Sequence, residues 1–137
     1  LGRDLECGGK GKEEMLKEID MRQFARGAGT TLRFQPGTIV FDKGETGDCM
    51  YIVQSGVIEM MIGNRVIEVV GPNEAIGFMS MIDDQPRSST ARVREACELS
   101  VIDGRTFRFM VDEVPNFAFY IMGVLARRIR GMGEAIG

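Results

Sequence analysis

The sequence contains no histidine. Its absence removes the commonest metal ligand, the usual general base and every Ser-His or Cys-His nucleophile pair. No paired-carboxylate or other nucleophile constellation takes its place, so the chain is expected not to be an enzyme. Cysteine is scarce: Cys7, Cys49 and Cys97 are odd in number and widely spaced, with no CxxC pair. That spacing suggests neither a zinc site nor a cysteine-ligated cluster and leaves reduced thiols in a cytoplasm as the expected state. No metal and no cofactor are expected. Long apolar runs are missing too, since none approaches the roughly 18 residues a membrane span needs, and a membrane is not an expected partner. Positive charge is in slight deficit, with 17 basic against 20 acidic residues, a net charge of -3 and a pI near 5.1. A field of that sign does not favour a polyanion, so no nucleic acid is expected to bind this chain alone.

What is present fits one domain: 137 residues, 44% hydrophobic and 27% charged, enough to bury a core. Eighteen glycines, roughly twice the usual ~7%, fall between short apolar runs, as a β-rich fold with many tight turns requires. The runs are Leu32 to Phe34, Thr38 to Phe41, Cys49 to Gln54, Val57 to Ile62, Arg65 to Val70, Ala75-Ile76, Ser89 to Val93 and Glu98 to Ile102. Turn signals separate them, and Gly63-Asn64 between two apolar runs predicts a hairpin. Eight or so short strands with no helix between them predict a mainly β fold, an eight-stranded double-stranded β-helix or jelly-roll-like β-roll over about 31–102.

Beyond Gly104 the period changes. Phe107, Met110 and Val111 fit one short helix. Pro115 suits a first-turn position of the next, where Phe117, Ile121, Val124, Leu125, Arg128 and Ile129 recur at helical spacing. A C-terminal helical hinge over about 104–132 is the expectation, within a domain of residues 21–137. Residues 1–20 read as a tail or lead-in helix, partly disordered, with Met21 a candidate natural start.

The stretch Gly77-Phe78-Met79-Ser80-Met81-Ile82-Asp83-Asp84-Gln85-Pro86-Arg87-Ser88-Ser89-Thr90 is the most informative. A glycine-led helical turn aims free backbone N–H groups at an anion. An arginine ten residues on can return across the loop as a charge-assisted fork, with Ser88 and Ser89 as further donors. The alternative is a β-roll loop with a solvated arginine. The turn Gly44-Glu45-Thr46-Gly47-Asp48 has too few alternating carboxylates for calcium and matches no Walker pattern, so it reads as a strand connection. The ten methionines read as adaptable core filling.

The passages FQPGTIVFDKGETGDCMYIVQSGVIEM, GPNEAIGFMSMIDDQPRSSTARV and PNFAFYIMGVLARRIRGM, spanning about Leu32 to Met132, resemble the cyclic nucleotide-binding domain family in order and spacing. They are most similar to the sensor half of catabolite-activator-type bacterial regulators. The family's structural glycines match Gly37, Gly47, Gly56, Gly71 and Gly77. The resemblance implies that Arg87 pairs with a cyclic phosphate, followed by Ser88 and Ser89, and that the amides of Gly77, Phe78, Met79 and Ser80 border the same site. It implies cAMP or cGMP as ligand and a signal carried by the C-terminal helices. Two positions depart from the family. Phe78 stands where a glutamate accepts the ribose 2′-hydroxyl, and Met132 and Gly133 stand where a Thr-Ser pair meets the base. The regulators' helix-turn-helix DNA reader is not matched within these 137 residues.

Phe78 therefore has two readings, a plug in the roll or an aromatic platform for a base. Met122, Leu125, Ile129 and Met132 also have two, burial against the roll or a seam between two copies of the last helix, the route to a homodimer. The functional alternatives to a cyclic nucleotide sensor are a pocket kept for another small anion and a ligand-free or non-nucleotide-binding degenerate domain, acting as a dimerisation module or binding an unknown effector protein.

Overall fold

The structure, a computed structural model, describes residues 21–136; the expected tail or lead-in helix at 1–20 lies outside the described residues. The described chain forms two compact units divided between Phe107 and Arg108.

The first unit opens with helix α1 (Met21–Ala28), followed by strands β1 (Thr31–Phe34), β2 (Ile39–Phe41), β3 (Cys49–Ile62), β4 (Arg65–Val70) and β5 (Ala75–Ile76). A single helical turn, α2 (Met79–Asp83), precedes strand β6 (Thr90–Asp103). All pairings are antiparallel. The eight expected runs occur as six strands, because Cys49 to Gln54 joins Val57 to Ile62 and Ser89 to Val93 joins Glu98 to Ile102. Each joined strand changes register midway: the β3–β6 ladder shifts at Val53/Ser55, Ser55/Val57 and Val57/Ile58. Gly56 sits at the shift with φ +91, and this local irregularity was read from sequence as one of the turn signals separating two runs. It bends the ladder instead. The first half of β3 pairs with the second half of β6 and adds β1 and β5. The second half of β3 pairs with the first half of β6 and adds β2 and β4. Two four-segment sheets sharing two bent strands make a jelly-roll-like β-roll. The β3–β4 hairpin turns at Gly63-Asn64, with Ile62 opposite Arg65, where the sequence predicts it.

Alternation along β3 assigns its faces. Val53, Ile58 and Met60 join Phe41, Val70, Ile76, Ala91, Val93, Cys97 and Leu99 in the roll's interior, with Tyr51 packed beside them. Burial of each large aliphatic side chain there stabilises the fold by roughly 1.5–3 kcal/mol. Met50, Ile52 and Gln54 point the other way and are buried as well. Helix α1 lies against β3 and β6, with Met21 and Ala25, one helical turn apart, as its buried residues. A strand buried on both faces explains the nearly unbroken apolar text of Cys49 to Val53.

On the second sheet Glu59 is buried between Arg92 and Arg94. Its Oε1 accepts from Arg92 (2.8 Å from Nη2) and its Oε2 from Arg94 (2.7 Å from Nη2). The two forks hold its carboxyl below the ordinary carboxylate range.

The second unit completes α3 (Gly104–Glu113) and contains α4 (Phe117–Ile136). Phe117, Ile121 and Val124 are its buried stripe. Pro115 falls in the turn rather than in the first turn of α4. Asn116 takes φ +69, and its carbonyl accepts the amide of Tyr120 at 2.9 Å, so the helical hydrogen bonds begin one residue beyond the proline. No single helix among the described residues is long and apolar enough to cross a membrane.

The bend in the roll depends on Gly56. A Cβ there would lie 2.3 Å from the Ala96 carbonyl oxygen and 2.5 Å from Cys97 Cβ, whereas one at Gly63, also at positive φ, meets nothing within 4 Å. Gly56→Ala is expected to lose at least 1–3 kcal/mol of stability (~1–3 from backbone strain alone). Gly63→Ala should lose clearly less, as measured by urea unfolding of both variants.

Candidate anion-binding site

Arg87 precedes β6 in the loop after α2, and its side chain turns inward until only 5% of the residue is exposed. The backbone fixes the loop. Arg87 N–H donates to the Glu45 carbonyl at 2.8 Å, and Gly44 N–H donates to the Arg87 carbonyl at 2.8 Å. The β2–β3 connection, read from sequence as a turn, is thereby stitched to the arginine loop.

The guanidinium is held on three sides. Nη1 donates to the Gly77 carbonyl at 2.7 Å, and Nη2 to the Cys49 carbonyl at 2.6 Å with the Cys49 sulfur 3.9 Å away. Cζ lies 4.3 Å from the centroid of the Phe41 ring, which itself stacks on Tyr51 at 6.1 Å. A desolvated cation over an aromatic face gains about 2 kcal/mol. Two features are left over. Nε is buried without a hydrogen-bond partner, and among the described residues no carboxylate forms a salt bridge with Arg87. A buried charge is ordinarily paired. This one has backbone dipoles and a ring where an anion would be expected.

Glycines make the space. A Cβ on Gly47 would sit 2.7 Å from Arg87 Cζ and Nε and from Ser80 Cβ; one on Gly77, at φ +79, would sit 2.7 Å from Nη1. Gly47 has no unusual φ, so close approach alone demands glycine there. Sequence reasoning noted Gly47 as a structural glycine and missed its contact with Arg87. It also missed Phe41, which reads as an ordinary strand residue, and Cys49, whose contribution is chiefly a backbone carbonyl. No side-chain pattern encodes either contact.

The other expected site residues are distributed unevenly. Gly77, Ser80 and Arg87 converge, with Ser80 buried beneath Gly47. Phe78 is 1% exposed, at the N-cap of α2 with no side-chain cap bond. Met79 is half-buried and its sulfur lies 4.0 Å from the Ser88 hydroxyl; Ser88 is exposed and Ser89 buried. Met132 and Gly133 lie on α4, in the other compact unit, and Met132 is exposed.

Burial disfavours the charged form of two groups in the roll. Burial pushes the Cys97 thiol up to about 11, which leaves it inert near neutral pH. Burial, and then the neighbouring Cys49, raise Tyr51 above the ordinary phenol value, against the opposing field of Arg87. Tyr51 therefore faces the site as a neutral hydroxyl.

Comparison with known proteins places this geometry in context. Residues 31–114 match the family model described as cyclic nucleotide-binding domain. The chain is 32% identical over 104 residues to the CRP-like cAMP-activated global transcriptional regulator of Mycobacterium tuberculosis, covering 71% of this chain and 46% of that protein. It is 29% identical over 102 residues to the cyclic AMP receptor protein of Thermus thermophilus, covering 71% and 47%. The crystal structure of the Thermus thermophilus catabolite activator protein superimposes with a TM-score of 0.74 at 25% identity, covering 89% of this chain and 61% of that one. The chain thus spans about half the length of these curated relatives.

The contact between Gly47 and Arg87 is testable by itself. Gly47→Ala overpacks the cradle and is expected to cost about 1–3 kcal/mol. In an Arg87→Ala background the penalty should fall, because two of the three clashing atoms are gone, while the Ser80 contact persists. A double-mutant cycle by chemical denaturation measures that coupling.

Proposed function

The chain belongs to the cyclic nucleotide-binding domain family, and on that premise we propose that it is a non-enzymatic sensor module that takes cAMP or cGMP by its phosphate at Arg87. The observation that carries this reading is a buried guanidinium without a carboxylate partner among the described residues, with a spare Nε–H. Gly77 and Ser80 border it, and Phe78, Met79, Ser88 and Ser89 complete the expected ligand loop, with Met132 and Gly133 as base-side candidates. The ligand acts by differential affinity for two states of the module, with α3 and α4 as the output. The free thiols Cys49 and Cys97 accord with a cytoplasmic location.

A second reading, a ligand-free interaction module, draws on Phe78. A fully buried phenyl ring offers no acceptor to a sugar hydroxyl, and loss of a hydrogen bond to a charged acceptor, worth roughly 1.5–3 kcal/mol, weakens binding by ~10- to 100-fold. Calorimetric titration of cAMP and cGMP decides between the two. Under the sensor reading wild type binds and Arg87→Ala loses binding by 100-fold or more. No heat from wild type at millimolar nucleotide, together with tight binding by Phe78→Glu, establishes the ligand-free reading instead.

Either reading includes self-association through α4. Met122, Ile129 and Met132 are 57%, 67% and 64% exposed and, with Leu125, are spaced 3, 4 and 3 residues apart, the interval of a coiled-coil seam. Sedimentation equilibrium should detect a dimer at micromolar concentration that Ile129→Glu abolishes without changing the circular dichroism spectrum. A monomer in wild type up to 100-fold higher concentration removes this element.

A further inference from the structure

We propose that Cys49 is an oxidation site, and that its sulfur, once oxygenated by a peroxide, becomes the anionic partner that Arg87 lacks. The consequence for a ligand rests on the reading of Arg87 as the phosphate contact: a guanidinium paired within its own chain is closed to a phosphate. The pairing itself does not rest on that reading.

Two observations meet at this residue. The first is the place of the thiol. Cys49 is a free, half-buried cysteine at the start of β3, and its sulfur lies 3.9 Å from Arg87 Nη2. An oxygen carried on that sulfur comes within the range of a charge-assisted hydrogen bond, about 2.7–2.9 Å. Tyr51, two residues on and therefore on the same face of the strand, engages the Cys49 side chain as a neutral hydroxyl and adds a second donor. The second observation is the state of the cation. Arg87 is only 5% exposed, its Nε has no hydrogen-bond partner, and among the described residues no carboxylate forms a salt bridge with it. Its Nη2 already donates to the Cys49 carbonyl at 2.6 Å, so the guanidinium is turned toward this residue before any oxygen arrives. A buried positive charge without an anion gains from a negative group placed against it.

The chemistry proceeds in two balanced steps. In the first, the Cys49 sulfur attacks one oxygen of hydrogen peroxide. An S–O bond forms, the O–O bond breaks, and the departing hydroxide takes the thiol proton and leaves as water. The sulfur gives two electrons to the peroxide and becomes a sulfenic acid, which a thiol reductant restores. A second peroxide adds a second oxygen in the same way, releasing a second water. The resulting sulfinic acid ionises at neutral pH and sets its negative charge beside Nη2.

Peroxide treatment of the full chain carrying Cys7→Ser, which leaves Cys49 and Cys97 as its thiols, tests this. Peptide mass mapping is expected to find two added oxygens on Cys49 and none on Cys97, whose thiol burial holds at about 11. The oxidised chain should melt about 3 °C or more above the reduced one, with a shift of the Arg87 side-chain nitrogen resonances. Its affinity for cAMP should fall roughly tenfold or more. Cys49→Asp, which sets a carboxylate at the same place, should reproduce the higher melting point and the weaker binding without peroxide, and Cys49→Ser should not respond to peroxide. An unoxidised Cys49, equal oxidation of Cys97, or a melting point unchanged or lowered in either the oxidised chain or Cys49→Asp overturns the proposal. So do the same changes in peroxide-treated Cys49→Ser, which would assign them to methionine. If the reduced chain binds neither cAMP nor cGMP, the sensor reading fails by itself, and the melting point and the Arg87 resonances still decide the pairing.

Discussion

The first unit is organised around one buried positive charge. Moving a guanidinium out of water is costly, and the cost is tolerable only where dipoles or an anion replace the lost hydration. At Arg87 the replacements are the Gly77 and Cys49 carbonyls and the Phe41 ring. Each comes from a different segment, and together they tie the end of β2, the start of β3 and the residue leading into α2 to one side chain. Two glycines without room for a Cβ, Gly47 and Gly77, follow from the same requirement. The local sequence around the loop is therefore constrained by a contact ten to forty residues away.

Much of this was legible beforehand. The strand text, the Gly63-Asn64 hairpin and the change of period after Gly104 carry the fold, because period and turn chemistry are local signals. The joining of runs across Ser55-Gly56 was not legible, since a glycine at positive φ looks alike in a turn and in a bulge. The site divides in the same way. Arg87, Gly77 and Ser80 stand in a loop whose composition singles them out. Phe41 and the Cys49 carbonyl act through tertiary placement, and one is an apolar residue in an apolar strand while the other uses an atom every residue has. The hydrogen bonds of Gln54 to the Arg22 carbonyl and from Arg26 left no sequence signal, because they span 28 to 32 positions and only the fold brings these residues together.

Strand β3 links these features because both of its faces are buried. Its inner face contributes Tyr51 and Val53 to the core beside the arginine, and its outer face contributes Gln54 to the wall under α1. A close-packed interior transmits strain, but two sites are coupled only through an element with two discrete arrangements that both of them bias. The natural candidate for such an element is the arginine itself, since its present partners are neutral and replaceable.

On the proposed reading of Arg87 as the phosphate contact, that replaceability sets the character of binding. In the free chain the guanidinium already has two short bonds to carbonyls, so an incoming phosphate does not find an empty fork. It can use the unpartnered Nε–H and the second hydrogens of the terminal nitrogens while leaving both carbonyl bonds in place, or it can draw Nη1 and Nη2 away from Gly77 and Cys49. The first route adds a charge-assisted bond to an otherwise unchanged cradle and moves little. The second exchanges neutral acceptors for a charged one, a net gain of only about 1–2 kcal/mol per bond, and frees the Gly77 carbonyl at the start of α2. Only the second route alters the chain's own hydrogen bonding, and a ligand shifts an equilibrium only by what it contributes differently to the two states. On the proposed sensor reading, release of those two carbonyls is therefore the step at Arg87 through which binding would alter the rest of the chain.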